Sequence, residues 1–175
     1  MPLVADGLRA ADDDNPRGYF EFEPVKHLHT DPRGEADLAW LASARGKAVK
    51  IISFLLTWLP ETYDYRVLFM HRDLTEVVSS QETMIARRGE SAVGTGKSVA
   101  ETIKIYEDHL AQVERFLARR PCFTTLGVDY ATVLANPLGE AARIGDFLGG
   151  RLDVAAMAAA VEPTLRRHRH NGCPR

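Results

Sequence analysis

Cysteine is scarce: Cys122 and Cys173 are the only two in 175 residues. Two thiols without metal-ligand spacing exclude a disulfide framework and a cysteine-based zinc site, and they fit a reducing compartment. Long apolar runs are missing as well. The most apolar stretch, Ile51 to Leu59, falls well short of the roughly 20 residues that a membrane-spanning helix needs. No charged-then-apolar leader opens the sequence, so a cytoplasmic location without a membrane partner is the expectation. Neither sign of charge dominates. A formal net charge of −2 gives no electrostatic reason to expect a nucleic-acid partner. Charge is nevertheless uneven, with Asp12, Asp13 and Asp14 near the start and Arg166, Arg167, Arg169 and Arg175 near the end. Such a basic tail reads as a solvated, frayed terminus. Repeats and low-complexity linkers are absent too. What remains is an ordinary globular composition, long enough for one domain with a buried core.

The pattern along the chain is that of an α/β protein. Residues 1–35 are rich in turn chemistry, notably around Asn15-Pro16 and Gly18. "KAVKIISFL" and "YRVLFM" are short runs rich in β-branched residues, as in strands of a parallel sheet. After Met70 the spacing becomes helical: Leu74, Val77, Val78, Gln81 and Ile85, with Asp73 or Thr75 as N-cap. Val99, Ile103, Tyr106, Leu110, Val113 and Leu117 alternate by four and three, predicting a second helix that stops before Pro121. "CFTTLGVDY" reads as a further strand. "LGEAARIGDFLG" reads as a helix ended by Gly149, and "LDVAAMAAAV" as one started by Asp153 and ended by Pro163. Strands separated by helices imply a layered fold with a mostly parallel sheet.

The run Gly94-Thr95-Gly96-Lys97-Ser98 imitates a phosphate-gripping loop. A Walker-type loop needs a glycine five positions before the second one, and that position is Ser91. It must also leave a strand and enter a helix, whereas this run lies between two helices. The expectation is therefore a connection in which Ser98 caps the following helix.

"VLFMHRDLTEVVSSQ" has the context that the first loop lacks. Arg72 emerges at the carboxyl end of a strand, where ligands of open α/β sheets bind, and Ser80 offers a hydroxyl from the following helix. A guanidinium fork suits phosphate. Taken alone, one Arg and one Ser fit an ion pair of Arg72 with Asp73 or Glu76 better.

"FMHRDLTEVVSSQ" resembles the 3′-phosphate-binding motif of sulfotransferases, in which an Arg at a strand end is followed eight positions later by a Ser. "DYATVLANPLGEAARIGDFLG" is similar to the Tyr-x-x-Leu-x-x-Pro and Phe-Leu-Gly pattern late in such domains. "DGLRAADDDNPRGYFEFEPV" looks like the opening third of a bacterial sulfotransferase-like subfamily. The resemblance covers most of the chain. It implies a P-loop nucleotide-hydrolase-like three-layer fold and 3′-phosphoadenosine 5′-phosphosulfate (PAPS) as co-substrate. It also implies transfer of a sulfuryl group to a hydroxyl or amine of a small-molecule or carbohydrate acceptor. Arg72 and Ser80 would hold the 3′-phosphate.

The sequence departs from that pattern in two places. The family's Pro-x-Ser-Gly-Thr turn, which cradles the 5′-phosphosulfate, would precede "DGLRAADDD" by one helix. It is not among these 175 residues, so an N-terminally truncated sulfotransferase is the expectation, with a non-catalytic nucleotide-binding remnant or interaction module as the alternative. In "KIISFLLTWLP", Ser53 stands where the family's general-base His would lie. Glu21 and Glu23 in "YFEFEP" are the substitute candidates, because some carbohydrate-modifying relatives use a Glu just beyond the phosphate-loop helix. An extended chain would turn both to one side, with Phe20 and Phe22 on the other. They also fit surface carboxylates beside buried rings. His71 is a lesser candidate. His27 with His29, and His168 with His170, offer two ligands each where zinc takes three or four, so no metal is expected. With the first strand missing, "YRVLFM" and "CFTTLGV" would flank an open slot, and their bare edges would favour self-association.

Overall fold

Short parallel strands alternate with helices in the computed structural model, which describes residues 1–12, 15–29, 38–87 and 98–165. The chain divides into two compact units, Met1–Tyr63 and Asp64–Arg175.

In the first unit, β1 (Leu3–Val4) and β2 (Ala48–Val49) pair in parallel. Between them lie the short helices α1 (Glu23–Lys26) and α2 (Ala39–Ala44). Tyr19, Val25, Leu28 and Leu41 are buried in this unit, together with Leu55, Leu56 and Leu59. The short strand expected in "KAVKIISFL" shrinks to two residues, Ala48–Val49. The chain then turns into a 3-10 helix over Ser53–Trp58. The reason is visible in the side chains: Leu55, Leu56 and Leu59 are buried while Ile52, Phe54 and Trp58 are exposed. That is a helical spacing, not the alternation of a strand.

The second unit carries the longer elements: β3 (Tyr65–His71), α3 (Leu74–Arg87), α4 (Val99–Ala118) and β4 (Phe123–Asp129), followed by α5 (Tyr130–Ala135), α6 (Pro137–Phe147) and α7 (Val154–Ala159). β3 and β4 pair in parallel over seven positions, from Tyr65 opposite Phe123 to His71 opposite Asp129. This corrects the expectation of a slot between "YRVLFM" and "CFTTLGV". Their ladder hydrogen bonds go to each other, which satisfies the backbone groups that an open slot would have left bare.

Side chains of successive strand residues point to opposite faces. On one face the Tyr65 and Phe123 rings stack at 4.9 Å, and Phe116 of α4 packs against Phe123 at 5.8 Å. On the other face, Arg66 Nη1 donates to the Phe147 carbonyl of α6, and Val128 is completely buried.

The helices begin where local chemistry says they should. Asp73 Oδ1 accepts from Glu76 N at 3.0 Å, and Asp153 Oδ1 from Ala156 N at 2.9 Å. Along α4 the apolar stripe deepens from exposed Val99 to buried Val113 and Leu117. Asn136 caps α6 by accepting from Gly139 N. A Cβ at Gly139 would lie 2.3 Å from the Asn136 side-chain amide, so a side chain there would push that amide aside. Gly149, at φ +106°, follows α6 as expected. α7 starts at Asp153 but stops at Ala159, and Pro163 opens a separate 3-10 turn.

Candidate functional site

The carboxyl ends of β3 and β4 bring together residues that are distant in sequence. Because His71 and Asp129 form the last register pair, Arg72 and Tyr130 follow side by side. The Arg72 guanidinium sits over the Tyr130 ring, 4.8 Å from its centroid. Its Nε lies 3.3 Å from Glu76 Oε2. The Arg72 side chain keeps 30% exposure while that of Glu76 keeps 2%. Among the described residues, no hydrogen bond engages Arg72 Nη1 or Nη2. The Arg is thus held by one edge and one face, with its bidentate edge unspent.

Of the two pairings the sequence offered, the structure takes Glu76, since Asp73 spends Oδ1 on the helix cap. Ser80 is half-buried on α3, one helical repeat beyond Glu76, so both lie on the same side of that helix. Arg72 itself precedes α3 and reaches Glu76 from the end of β3, while Ser80 stands one repeat further along the helix. An anion brought to Arg72 would meet a planar fork suited to phosphate.

At the last position of β3, His71 Nε2 is 3.8 Å from Glu114 Oε1 of α4. Asp129 caps α5, and the Thr132 hydroxyl, then the Thr132 N–H, hold its carboxyl below the ordinary carboxylate value.

Glu21 and Glu23 belong to the first unit. The strand-like alternation is replaced there by α1, which starts at Glu23 with Pro24 in its first turn. Phe20 has φ +51° and is half exposed rather than a buried ring, while Phe22 packs edge-on against Trp40 at 5.4 Å. The two carboxylates still share a side, because Lys26 Nζ lies 3.3 Å from Glu21 and 2.8 Å from Glu23. Glu23, and after it Glu21, hold the Lys26 ammonium above its ordinary value. Glu21 also pairs with Arg9 at 3.2 Å, and Glu23 lies 3.7 Å from His27. Both carboxylates thus face the Lys26 ammonium, and Glu21 faces Arg9 as well.

Ser53 opens the 3-10 helix and is half-buried. Gly94 to Lys97, His168, His170 and Cys173 lie outside the described residues. Ser98 caps α4 as expected. Among the described residues, no group of three or more His, Cys, Asp or Glu is arranged to hold a metal ion, and no helix is long and apolar enough to cross a membrane.

Sequence reasoning missed Tyr130 as the partner of Arg72. The two are far apart in the chain, and only the β3–β4 register makes them neighbours. No protein-family model, curated protein or solved structure matches this chain.

Proposed function

We propose that this chain is a sulfotransferase-type protein that binds 3′-phosphoadenosine nucleotides, with Arg72 and Ser80 taking the 3′-phosphate. The observation that carries the reading is the state of Arg72. It stands at the carboxyl end of a parallel strand, fixed by Glu76 and Tyr130, with both terminal nitrogens open among the described residues. Two parallel N–H donors in a plane match two oxygens of a phosphate. The β3-to-α3 junction provides the strand-to-helix setting in which α/β sheets bind nucleotides.

In the intact family reaction, PAPS supplies a sulfuryl group that passes to an acceptor hydroxyl or amine. The residues of this chain would orient the nucleotide by its 3′-phosphate and leave the reacting sulfur to other groups. Glu21 and Glu23 are the carboxylates offered as proton acceptor for the attacking hydroxyl. A base must lie within hydrogen-bond reach of the proton it takes, and here either would have to exchange a cation for the acceptor. That engagement favours a second reading of the same site, in which the chain binds the nucleotide without turning it over.

The experiment is a calorimetric titration with 3′-phosphoadenosine 5′-phosphate and with AMP. The reading expects the first to bind measurably tighter, because it alone carries the 3′-phosphate. Equal affinities reject it.

A further inference from the structure

Glu76 is the one buried charged residue among those described; it pairs with Arg72 and stands four positions before Ser80, the two residues proposed above to take the phosphate. A buried carboxylate is costly unless paired and hydrogen-bonded. Placed next to an anion site it also works against anion binding, because it offsets the positive charge that attracts the phosphate. A carboxylate in that place needs a compensating role, and its geometry supplies one. It accepts from Nε, the only guanidinium nitrogen that does not belong to the terminal Nη edge. Tyr130 occupies a face of the same group.

We infer that Glu76 and Tyr130 are positioning residues, which lock the Arg72 guanidinium so that its Nη1–Nη2 edge is presented to the 3′-phosphate. This rests on the nucleotide reading of the site. An unrestrained Arg side chain samples many rotamers. A pre-set fork gives up less of that freedom when the phosphate arrives.

Orientation and charge make opposite forecasts, so they can be separated. Glu76→Gln keeps an oxygen that can accept from Nε and removes the negative charge. Glu76→Leu removes both. If Glu76 acts by positioning, Gln should keep the preference for 3′-phosphoadenosine 5′-phosphate over AMP, and Leu should reduce it by about tenfold or more. If Glu76 merely neutralises Arg72, both variants should bind the 3′-phosphate nucleotide more tightly than the original chain, which overturns the inference. Retention of the full preference by Glu76→Leu overturns it as well.

Thermal melts report whether each variant folds. Should Glu76→Leu fail to fold, the same comparison passes to Tyr130. There Tyr130→Phe, which keeps the ring, should retain the preference, and Tyr130→Leu should lose part of it. Equal preference in those two overturns the inference by that route. The unsubstituted chain is measured alongside. If it shows no preference between the two nucleotides, the nucleotide reading itself fails. If it does, and Arg72→Ala abolishes the preference while the Glu76 and Tyr130 variants leave it intact, only the positioning inference fails.

Discussion

Ser98 and Glu101 close the first turn of α4 on each other. Glu101 N donates to Ser98 Oγ at 3.3 Å, and Ser98 N donates to Glu101 Oε2 at 2.7 Å. This capping box spends the hydroxyl that a Walker-type loop would turn toward a magnesium ion. Ser98→Ala should lower stability by about 1 kcal/mol and leave nucleotide affinity unchanged. Lys97→Ala should likewise leave nucleotide binding unchanged within error. Urea melts and calorimetry on the two variants check both statements, and a large loss of affinity in Lys97→Ala would restore the loop as a phosphate site.

Acid should weaken the fold through two helix-associated carboxylates. Asp6 accepts from Leu8 N at 3.0 Å and from Glu23 N at 2.5 Å, and those backbone bonds, the Leu8 one foremost, lower its pKa. Asp129 is lowered by Thr132. Both start from an ordinary value of 3.8. A carboxylate depressed in the folded state stabilises the fold above its unfolded pKa, and that contribution is lost as pH falls through the folded one. The urea midpoint should therefore hold steady near neutrality and decline below about pH 4. Asp129→Asn keeps a good N-cap without the titration, so its midpoint should fall less steeply in acid. An acid limb as steep as that of the original chain would dismiss Asp129 as a contributor.

Val128 and Met70 lie on the same face of the β3–β4 pair with opposite surroundings, 0% and 54% exposed. Val128→Ala removes buried methyl groups and should cost about 2 kcal/mol. Met70→Ala should change stability by about 0.5 kcal/mol or less. Equal losses in denaturant melts would mean that Val128 is not buried as described.

Turnover should be poor. The 175 residues contain no Pro-x-Ser-Gly-Thr turn to hold a 5′-phosphosulfate, and loss of even one such donor can cost ~100–1,000-fold in rate. Purified chain incubated with labelled PAPS and a panel of hydroxyl and amine acceptors should yield labelled product very slowly or not at all. Product at ordinary enzyme rates would show that other residues supply the missing donors.

Where the chain repeats a local rule, its structure was legible. The four-three spacing from Val99 to Leu117, the strand stretches "YRVLFM" and "CFTTLGVDY", and the caps at Asp73, Ser98 and Asp153 are local, and each forms the element its pattern implies. Non-local pairings were not legible. Nothing in "PLVA" announces that Leu3 and Val4 pair with Ala48 and Val49. The direct β3–β4 ladder replaced an expected gap for the same reason. At the candidate site, Arg72 at a strand end was legible, with Asp73 and Glu76 as its two local partners, and the cap taken by Asp73 leaves Glu76. Tyr130 does not, because its place beside Arg72 depends on strand register. The run from Phe20 to Pro24 misled through its alternation, which is overridden by a positive φ at Phe20 and by the helix that Pro24 helps to start.

Arg72 carries the account, and its removal is the most direct test. In calorimetric titrations of the 175-residue chain, 3′-phosphoadenosine 5′-phosphate should bind more tightly than AMP. Arg72→Ala should cost roughly 1.5–3 kcal/mol of the former's binding while leaving AMP nearly unaffected, so that the two nucleotides converge. An unchanged gap between them in Arg72→Ala, or no gap in the original chain, would contradict the assignment of this strand end as a 3′-phosphate site.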